Sequence, residues 1–166
     1  MELLQIAELG DNSALGALLA RNVDTNYRDS CDWTPLMKAA INGHTGSVRR
    51  LLVAGATVDA TDKGGYTSLM LAASNNRADI VAMLLDRSAM IDAREATQGF
   101  TALIWAAQRG HQETVELLLA RGADRTLPDF DGKTAAERAA EQGHGDLQRL
   151  LLAEDGPVAT HTAETR

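Results

Sequence analysis

Residues 101–123 read TALIWAAQRGHQETVELLLARGA, and this stretch predicts two short helices, each followed by a glycine. Thr101 is suited to cap the first helix, because its hydroxyl can accept a hydrogen bond from a backbone N–H that lacks a partner in the first turn. Gly110 and Gly122 stand where a chain leaving a helix needs a positive φ. The second helix has an apolar stripe at helical spacing, formed by Val115, Leu118 and Leu119.

The same pattern recurs along almost the whole chain, with a period of 33 or 34 residues. The capping threonines are Thr34, Thr67, Thr101 and Thr134. The first helix stops are Gly10, Gly43, Asn76, Gly110 and Gly143, where asparagine is the common substitute that tolerates the left-handed conformation. The leucine pairs of the second helices are Leu18-Leu19, Leu51-Leu52, Leu84-Leu85, Leu118-Leu119 and Leu151-Leu152. Chance does not keep these features in one register.

A period near 33 with two helices and a turn per unit resembles the ankyrin repeat. Thr34-Pro35-Leu36 opens a unit as that family does. The family's Gly-His step is matched at Gly43-His44, Gly110-His111 and Gly143-His144, and its closing segment at Gly55-Ala56 and Gly122-Ala123-Asp124. The resemblance implies an all-α ankyrin-repeat solenoid of five stacked helix-turn-helix repeats, with β-hairpin-like loops that project from the helices.

The resemblance implies one repeat domain over residues 1–153. Its repeats span about residues 1–33, 34–66, 67–100, 101–133 and 134–153. Polar residues in the first and last repeats fit caps that face water. Residues 154–166 are small and polar, which favours a flexible tail.

The residue after each opening leucine departs from the family, which usually has histidine there. These residues are Met37, Met70, Ile104 and Glu137. We therefore expect the hydrogen bond of that histidine to be absent, and Met70 and Ile104 to bury apolar surface instead. The linker at residues 94–99 carries one extra residue, for which neutral drift and a role in binding both stay open.

Charge and cysteine content exclude several classes of protein. The net charge of −7 disfavours nucleic acid and anionic lipid as partners, so we expect neither nucleic acid nor a membrane. The single Cys31 cannot form an internal disulfide, which favours a reducing compartment such as the cytoplasm. Residues 1–11 have no basic region, so we expect no signal peptide, and no apolar run approaches membrane-spanning length.

Neither a metal site nor a catalytic site is predicted. His44, His111 and His144 recur once per repeat, but successive repeats lie about 10 Å apart, whereas zinc ligands lie about 2 Å from one metal. We therefore expect each histidine to help close its own helix turn. No phosphate loop or nucleophile elbow is present, and Cys31 has no histidine or asparagine in its motif. We expect a non-catalytic protein without a cofactor.

The most informative position precedes each capping threonine, where the chain has Trp33, Tyr66, Phe100 and Lys133. In the fold implied by the resemblance, this position faces a concave groove, and stacking sets the three rings in a row about 10 Å apart. One interpretation makes them anchors for a partner protein, since aromatic side chains are enriched in binding hot spots. The other interpretation is that each ring packs between neighbouring loops and stabilises the stack.

Further residues are predicted to line the same groove. They vary between repeats, as specificity residues do, although drift on a solvated face gives the same pattern. The candidates are Ile41, Asn42, Ser74, Asn75, Gln108, Arg109 and, next to the aromatic row, Trp105. The cations expected on this side are Lys38, Lys63, Arg109, Lys133 and Arg138, so we expect the groove to be less acidic than the whole chain and its partner to be both acidic and apolar.

The main functional prediction is a protein–protein interaction module that acts as a rigid, preformed surface. A dedicated inhibitor or regulatory subunit of one enzyme is the first alternative, and it requires a single tight partner. A catalytic or ligand-sensing protein requires a closed pocket with convergent polar groups. A homodimer through the aromatic row is the last alternative, although we expect a monomer.

Overall fold

A computed structural model describes residues 2–153, and this part of the chain contains ten short α-helices and no β-strand. The helices are α1 (Glu2–Leu9), α2 (Asn12–Leu19), α3 (Pro35–Asn42), α4 (Thr45–Val53), α5 (Ser68–Ser74), α6 (Ala78–Leu85), α7 (Ala102–Gln108), α8 (Gln112–Ala120), α9 (Ala135–Glu141) and α10 (Gly145–Leu152). The predicted all-α class is confirmed. The tail predicted at residues 154–166 lies outside the described residues.

The helices stack in two layers. Each odd-numbered helix from α1 to α7 contacts the next odd-numbered one, and α2, α4, α6 and α8 contact one another in the same order. The two helices of each consecutive pair also contact each other, from α1 and α2 to α9 and α10. Each pair therefore buries its apolar face against its neighbours, which is the packing of a repeat solenoid.

The sequence signals for helix starts and stops are confirmed. Four threonine side chains accept a hydrogen bond from a backbone N–H of the following first turn, at the start of α3, α5, α7 and α9. All five residues predicted to end a first helix have a positive φ, including Asn76 at 55°. The alanine pairs are almost entirely buried between odd-numbered helices where these stack, as at Ala72 and Ala73.

The expectation of no side-chain hydrogen bond at this position holds for Met70 and Ile104 but is wrong for Met37, whose sulfur accepts from the N–H of Thr34 at 3.5 Å, and for Glu137 in the last repeat. Met70 and Ile104 are each 1% exposed, so they bury apolar surface as expected. In contrast, the carboxylate of Glu137 accepts from the backbone N–H of Thr134 at 2.7 Å and from its hydroxyl at 2.9 Å. Because Thr134 also accepts from the N–H of Glu137, the pair forms a capping box at the start of α9.

Each loop between repeats is a tight turn closed by one carboxylate. The closing residues are Asp29, Asp62, Glu95 and Asp129. Each accepts hydrogen bonds from backbone N–H groups of residues that follow it in the loop, and one of these donors is the residue before the next capping threonine. Successive loops are joined by backbone hydrogen bonds, such as the 2.8 Å bond from the N–H of Ala96 to the carbonyl of Gly64. The loops are thus hairpin-like turns that stack along with the helices.

Candidate functional site

The aromatic residues before the threonines lie along the odd-numbered helices, but they differ in exposure. Trp33 and Tyr66 are half-buried, because each ring packs on one side against a small apolar cluster. The buried members of this cluster are Met37, Ala60 and Leu71, and Ile41 packs against it as well. The packing interpretation therefore holds in part for Trp33 and Tyr66, and since both rings remain partly accessible, their role as anchors for a partner stays a prediction.

Trp105 is the central ring of this surface. Its centroid lies 5.9 Å from that of Tyr66 and 4.9 Å from that of Phe100, the latter in an edge-on arrangement. Trp105 thus connects the third and fourth helix pairs through its ring. It is half-buried, and its indole Nε1 is enclosed without a hydrogen-bond acceptor among residues 2–153. We call Trp33, Tyr66 and Trp105 the aromatic surface.

Phe100 is not part of the accessible surface, which corrects its prediction as a binding anchor. The side chain is 0% exposed. Trp105 packs against its ring, and the guanidinium of Arg138 lies 5.2 Å from the ring centroid. For Phe100 the packing interpretation therefore holds: the ring stabilises the stack.

Three of the polar candidates bond to carbonyls at helix ends, and one of these is Asn42, whose side-chain amide donates to the carbonyl of Lys38 at 2.9 Å. Ser74 is 9% exposed, and its hydroxyl donates to the carbonyl of Leu71 at 3.1 Å. The side-chain amide of Asn75 donates to the same carbonyl at 2.9 Å, so both residues help to end α5. Asn42 and Arg109 are exposed, and the Arg109 guanidinium lies 5.6 Å from the Trp105 ring. Gln108 is half-buried beside them.

Most of the cations expected to make this side less acidic are paired with carboxylates. Lys38 lies 3.5 Å from Glu8 and also 4.9 Å from the Trp33 ring. Lys133 forms an ion pair with Glu141. Arg138 contacts three carboxylates, which belong to Asp129, Asp131 and Glu141. Among residues 2–153, Lys63 and Arg109 are the cations of this set without a carboxylate partner, and the expectation that the groove is less acidic than the whole chain stays a prediction.

The Arg138 cluster is the most strongly coupled electrostatic feature of the described residues. Hydrogen bonds to Asp129, which lies at 2.6 Å, and to Asp131 raise the pKa of Arg138 despite its burial. Burial alone would raise the pKa of Asp129, but the bonds from Arg138 and from the Lys133 N–H outweigh this effect and lower it. Both groups remain ionised at neutral pH, so the cluster is a fixed structural ion pair and not a source or acceptor of protons.

The histidines connect neighbouring repeats. Nε2 of His44 lies 2.9 Å from the carbonyl oxygen of Glu8, and Nε2 of His111 lies 3.1 Å from that of Ser74. Each ring therefore donates to the end of a helix in the preceding pair, whereas the sequence predicted a role within its own turn. In the part of the chain that the structure describes, no group of three or more His, Cys, Asp or Glu residues is placed to hold a metal, and none of the helices there is long and apolar enough to cross a bilayer.

Sequence reasoning missed two exposed aromatic residues, which are Tyr27, 41% exposed, and Phe130. Phe130 is 61% exposed at the tip of the fourth loop, where its ring covers Gly99 of the preceding loop. The Arg94 guanidinium lies 5.6 Å from this ring. The available signal was the bulky ring itself, since the residue after the closing carboxylate is Ser30, Lys63 or Ala96 in the other loops.

Comparison with known families agrees with this architecture. A family model described as Ankyrin repeats (3 copies) matches residues 3–95 and residues 90–162. The two matches together include nearly the whole chain. No curated protein matches it.

Proposed function

Since the chain belongs to the ankyrin-repeat family, whose repeats are generally protein–protein interaction modules and typically non-catalytic, we propose that it binds a partner protein through the groove formed by its odd-numbered helices and loops. The observation that carries the proposal is the aromatic surface of Trp33, Tyr66 and Trp105. Three half-exposed rings at neighbouring positions offer the kind of contact area that dominates binding hot spots.

The rings are held in place before any partner arrives. Lys38 lies over Trp33, and Tyr66 and Trp105 support each other. A surface that is already ordered loses little side-chain entropy on binding, so more of the contact energy contributes to affinity. This supports rigid display as the binding mechanism.

The charges beside the rings suggest the chemistry of the partner segment. Arg109 is exposed next to Trp105 and has no carboxylate partner among the described residues. An acidic side chain on the partner would pair with it, while apolar side chains would cover the rings. We therefore infer a partner segment that is both apolar and acidic, with Asn42 and Gln108 as further polar contacts.

We also infer the compartment and the oligomeric state. Cys31 is a free and exposed thiol, which supports a reducing compartment such as the cytoplasm. We also infer a monomer.

Affinity capture from a lysate of the source cells, with quantitative mass spectrometry, tests the proposed surface. The wild type is compared with a Trp33→Ala/Tyr66→Ala variant, and Phe100 is left unchanged because its loss would open the core. Met90→Ala is the control, since Met90 is 57% exposed and lies outside the aromatic surface. We expect the double variant to lose a partner that wild type and control both retain. If a folded double variant, checked by its melting curve, retains every captured partner, the proposal is wrong.

A further inference from the structure

A second concave region lies on the even-numbered helices, away from the aromatic surface. It is a cleft of about 600 Å³ between α2 and α4. Its lining is mainly apolar and includes Gly16, Leu19, Gly46, Arg49, Arg50 and Val53. None of these residues was a candidate in the groove, so the function proposed above does not explain them.

The glycine in the floor of this cleft is not required by the fold. Gly16 lies inside α2 with an ordinary helical φ, and an added Cβ would meet only the Arg50 guanidinium, at 3.5 Å. The same repeat position holds Arg49, Ala82, Glu116 and Arg149 in the other pairs. Glycine within a helix costs roughly 0.5–1 kcal/mol relative to alanine. Its effect here is to leave the cleft open.

Val53 adds apolar surface to the rim. Its side chain is 72% exposed at the C-terminal end of α4. Other repeats have smaller or charged residues at this position, which are Ala20, Asp86, Ala120 and Ala153. Exposed large aliphatic side chains beside a cleft are typical of interaction sites, whereas a single one on a flat surface is unremarkable.

Two cations line the cleft without a carboxylate partner among the residues that the structure describes. Arg49 and Arg50 are exposed, and neither forms an ion pair with a carboxylate in residues 2–153. In contrast, Arg149, which occupies the repeat position of Arg49 in α10, is paired with Asp146. In a chain of net charge −7, two unpaired guanidinium groups beside an apolar floor define a local surface of opposite character.

We propose that this cleft binds an amphipathic helix of a partner protein, in which apolar side chains are flanked by carboxylates. The lining positions Asn12, Gly16 and Leu19 recur at helical spacing and span about 10 Å, which matches two turns of a docked helix. Guanidinium groups pair with carboxylates through two parallel hydrogen bonds, so Arg49 and Arg50 would fix the orientation of the helix. A nucleic acid or an anionic membrane fits less well, because the net charge of the chain repels both.

The probe is a synthetic amphipathic peptide of about 16 residues, which makes four helical turns. Its leucines follow helical spacing and are flanked by glutamates. A control peptide keeps the leucines and has lysines in place of the glutamates. Binding to the full chain is measured by fluorescence anisotropy at low salt, and the site is mapped by amide chemical shifts. We expect the glutamate peptide to shift the amide resonances of α2 and α4. It should also bind at least about tenfold more tightly than the lysine peptide, a difference in binding free energy of about 1.4 kcal/mol.

Separate variants test the contribution of the two arginines to peptide binding and the contribution of the open cleft floor. Arg49→Glu/Arg50→Glu should weaken binding of the glutamate peptide at least about tenfold, whereas Arg149→Glu, at the same repeat position in α10, should not. Gly16→Leu should also weaken binding, because it fills the floor, while improved helix propensity maintains stability. Trp33→Ala/Tyr66→Ala should leave peptide binding unchanged, which keeps this test separate from that of the groove.

Five outcomes would overturn the proposal. The first two are a difference between the peptides smaller than about tenfold, and chemical shifts that map to the aromatic surface instead of α2 and α4. A wild-type dimer in sedimentation velocity that Arg49→Glu/Arg50→Glu abolishes would identify a second copy as the occupant. A chain ending at residue 153 that binds the peptide more tightly would identify residues 154–166 as the occupant. Binding to anionic vesicles through the same arginines would likewise favour a membrane.

Discussion

At the scale of single residues, a positive φ is required of the residue that follows α2, α4, α6 and α8 at the repeat position of Gly55 and Gly122. Gly55 and Gly122 end their second helices with φ near 87° and 88°, and both are followed by a buried alanine. Ser88 occupies the same repeat position with φ of 60°. Left-handed backbone costs about 1–2 kcal/mol for a residue with a Cβ, and asparagine tolerates it better than serine. Ser88 is therefore a strained site, whereas Asn22, at the same repeat position with φ of 53°, is less strained.

We predict that Ser88→Gly raises the free energy of unfolding by about 0.5–1 kcal/mol, because relief of the strain exceeds the added entropy of the unfolded chain. The reciprocal change Gly55→Ser should lower it by a similar amount, since no atom lies near the site and only φ is unfavourable. Urea denaturation of both variants measures the effect. Equal stability of Ser88→Gly and wild type would show that the serine is not strained.

Glu95 makes the stability of the third loop dependent on pH. Burial alone would raise its pKa, but hydrogen bonds from the Thr97 hydroxyl and from the N–H groups of Phe100, Thr97 and Gln98 outweigh this effect and lower the pKa below its ordinary value. Since the folded pKa is lower than the unfolded one, this contribution is complete above about pH 4.5 and is lost as the pH falls through the folded pKa.

The corresponding variant is Glu95→Gln, which keeps the shape of the side chain but has no carboxylate. We expect it to lower stability at neutral pH by about 1–3 kcal/mol, because backbone donors lose an acceptor. The loss of stability between neutral pH and about pH 3 should also become smaller than in wild type. Urea denaturation across this range tests both effects. An unchanged pH profile would mean that Glu95 is protonated equally in the folded and unfolded states.

At the scale of structural elements, the extra residue of the third loop is matched by a longer closing side chain. The other loops are closed by aspartate, but this one is closed by Glu95, whose additional methylene spans the added length. The backbone groups of Ala96 and Gln98 bond to neighbouring loops, whereas no such bond involves Thr97. Thr97 is therefore the residue that the stack needs least.

We predict that deletion of Thr97 together with Glu95→Asp gives the third loop the geometry of the second loop. The free energy of unfolding should then stay within about 1 kcal/mol of wild type. Deletion of Thr97 alone should cost more, because the glutamate is then too long for the turn and its donors are misplaced. Thermal melting of the two variants and wild type provides the comparison. If both deletions destabilise equally, the length of the closing side chain does not matter.

Local chemistry explains which features of these elements were predictable from sequence. Capping threonines and glycine stops act within one turn, so Thr101 and Gly110 were identified correctly. Burial of Phe100 depends on Trp105 and on Arg138, which come from later helices, and sequence spacing does not show how these side chains meet. The pairing of Lys133 and Arg138 with carboxylates was missed for the same reason.

At the scale of the whole molecule, two surfaces differ in origin. Two rings of the aromatic surface, Trp33 and Tyr66, share one repeat position and were therefore visible in the sequence as a set, whereas Trp105 lies within α7, and the exposure of the rings was not visible. The cleft between α2 and α4 depends on Gly16, which has no side chain where the other repeats have one, and on Arg49 and Arg50, which have no carboxylate partner among residues 2–153. A solenoid permits such independence, because each repeat contacts only its neighbours and its outer positions vary freely.

Hydroxyl-radical footprinting with a captured partner most directly tests the claim that the aromatic surface binds that partner, because it measures side-chain accessibility in the wild-type chain without substitutions. Trp33 and Tyr66 are reactive aromatic residues on the aromatic surface, and exposed Met90 is an internal reference outside it. We predict that the partner reduces oxidation of Trp33 and Tyr66 by about fivefold or more, as expected for rings at the centre of an interface, and leaves oxidation of Met90 unchanged. Unchanged oxidation of Trp33 and Tyr66 in a saturated complex would contradict this claim.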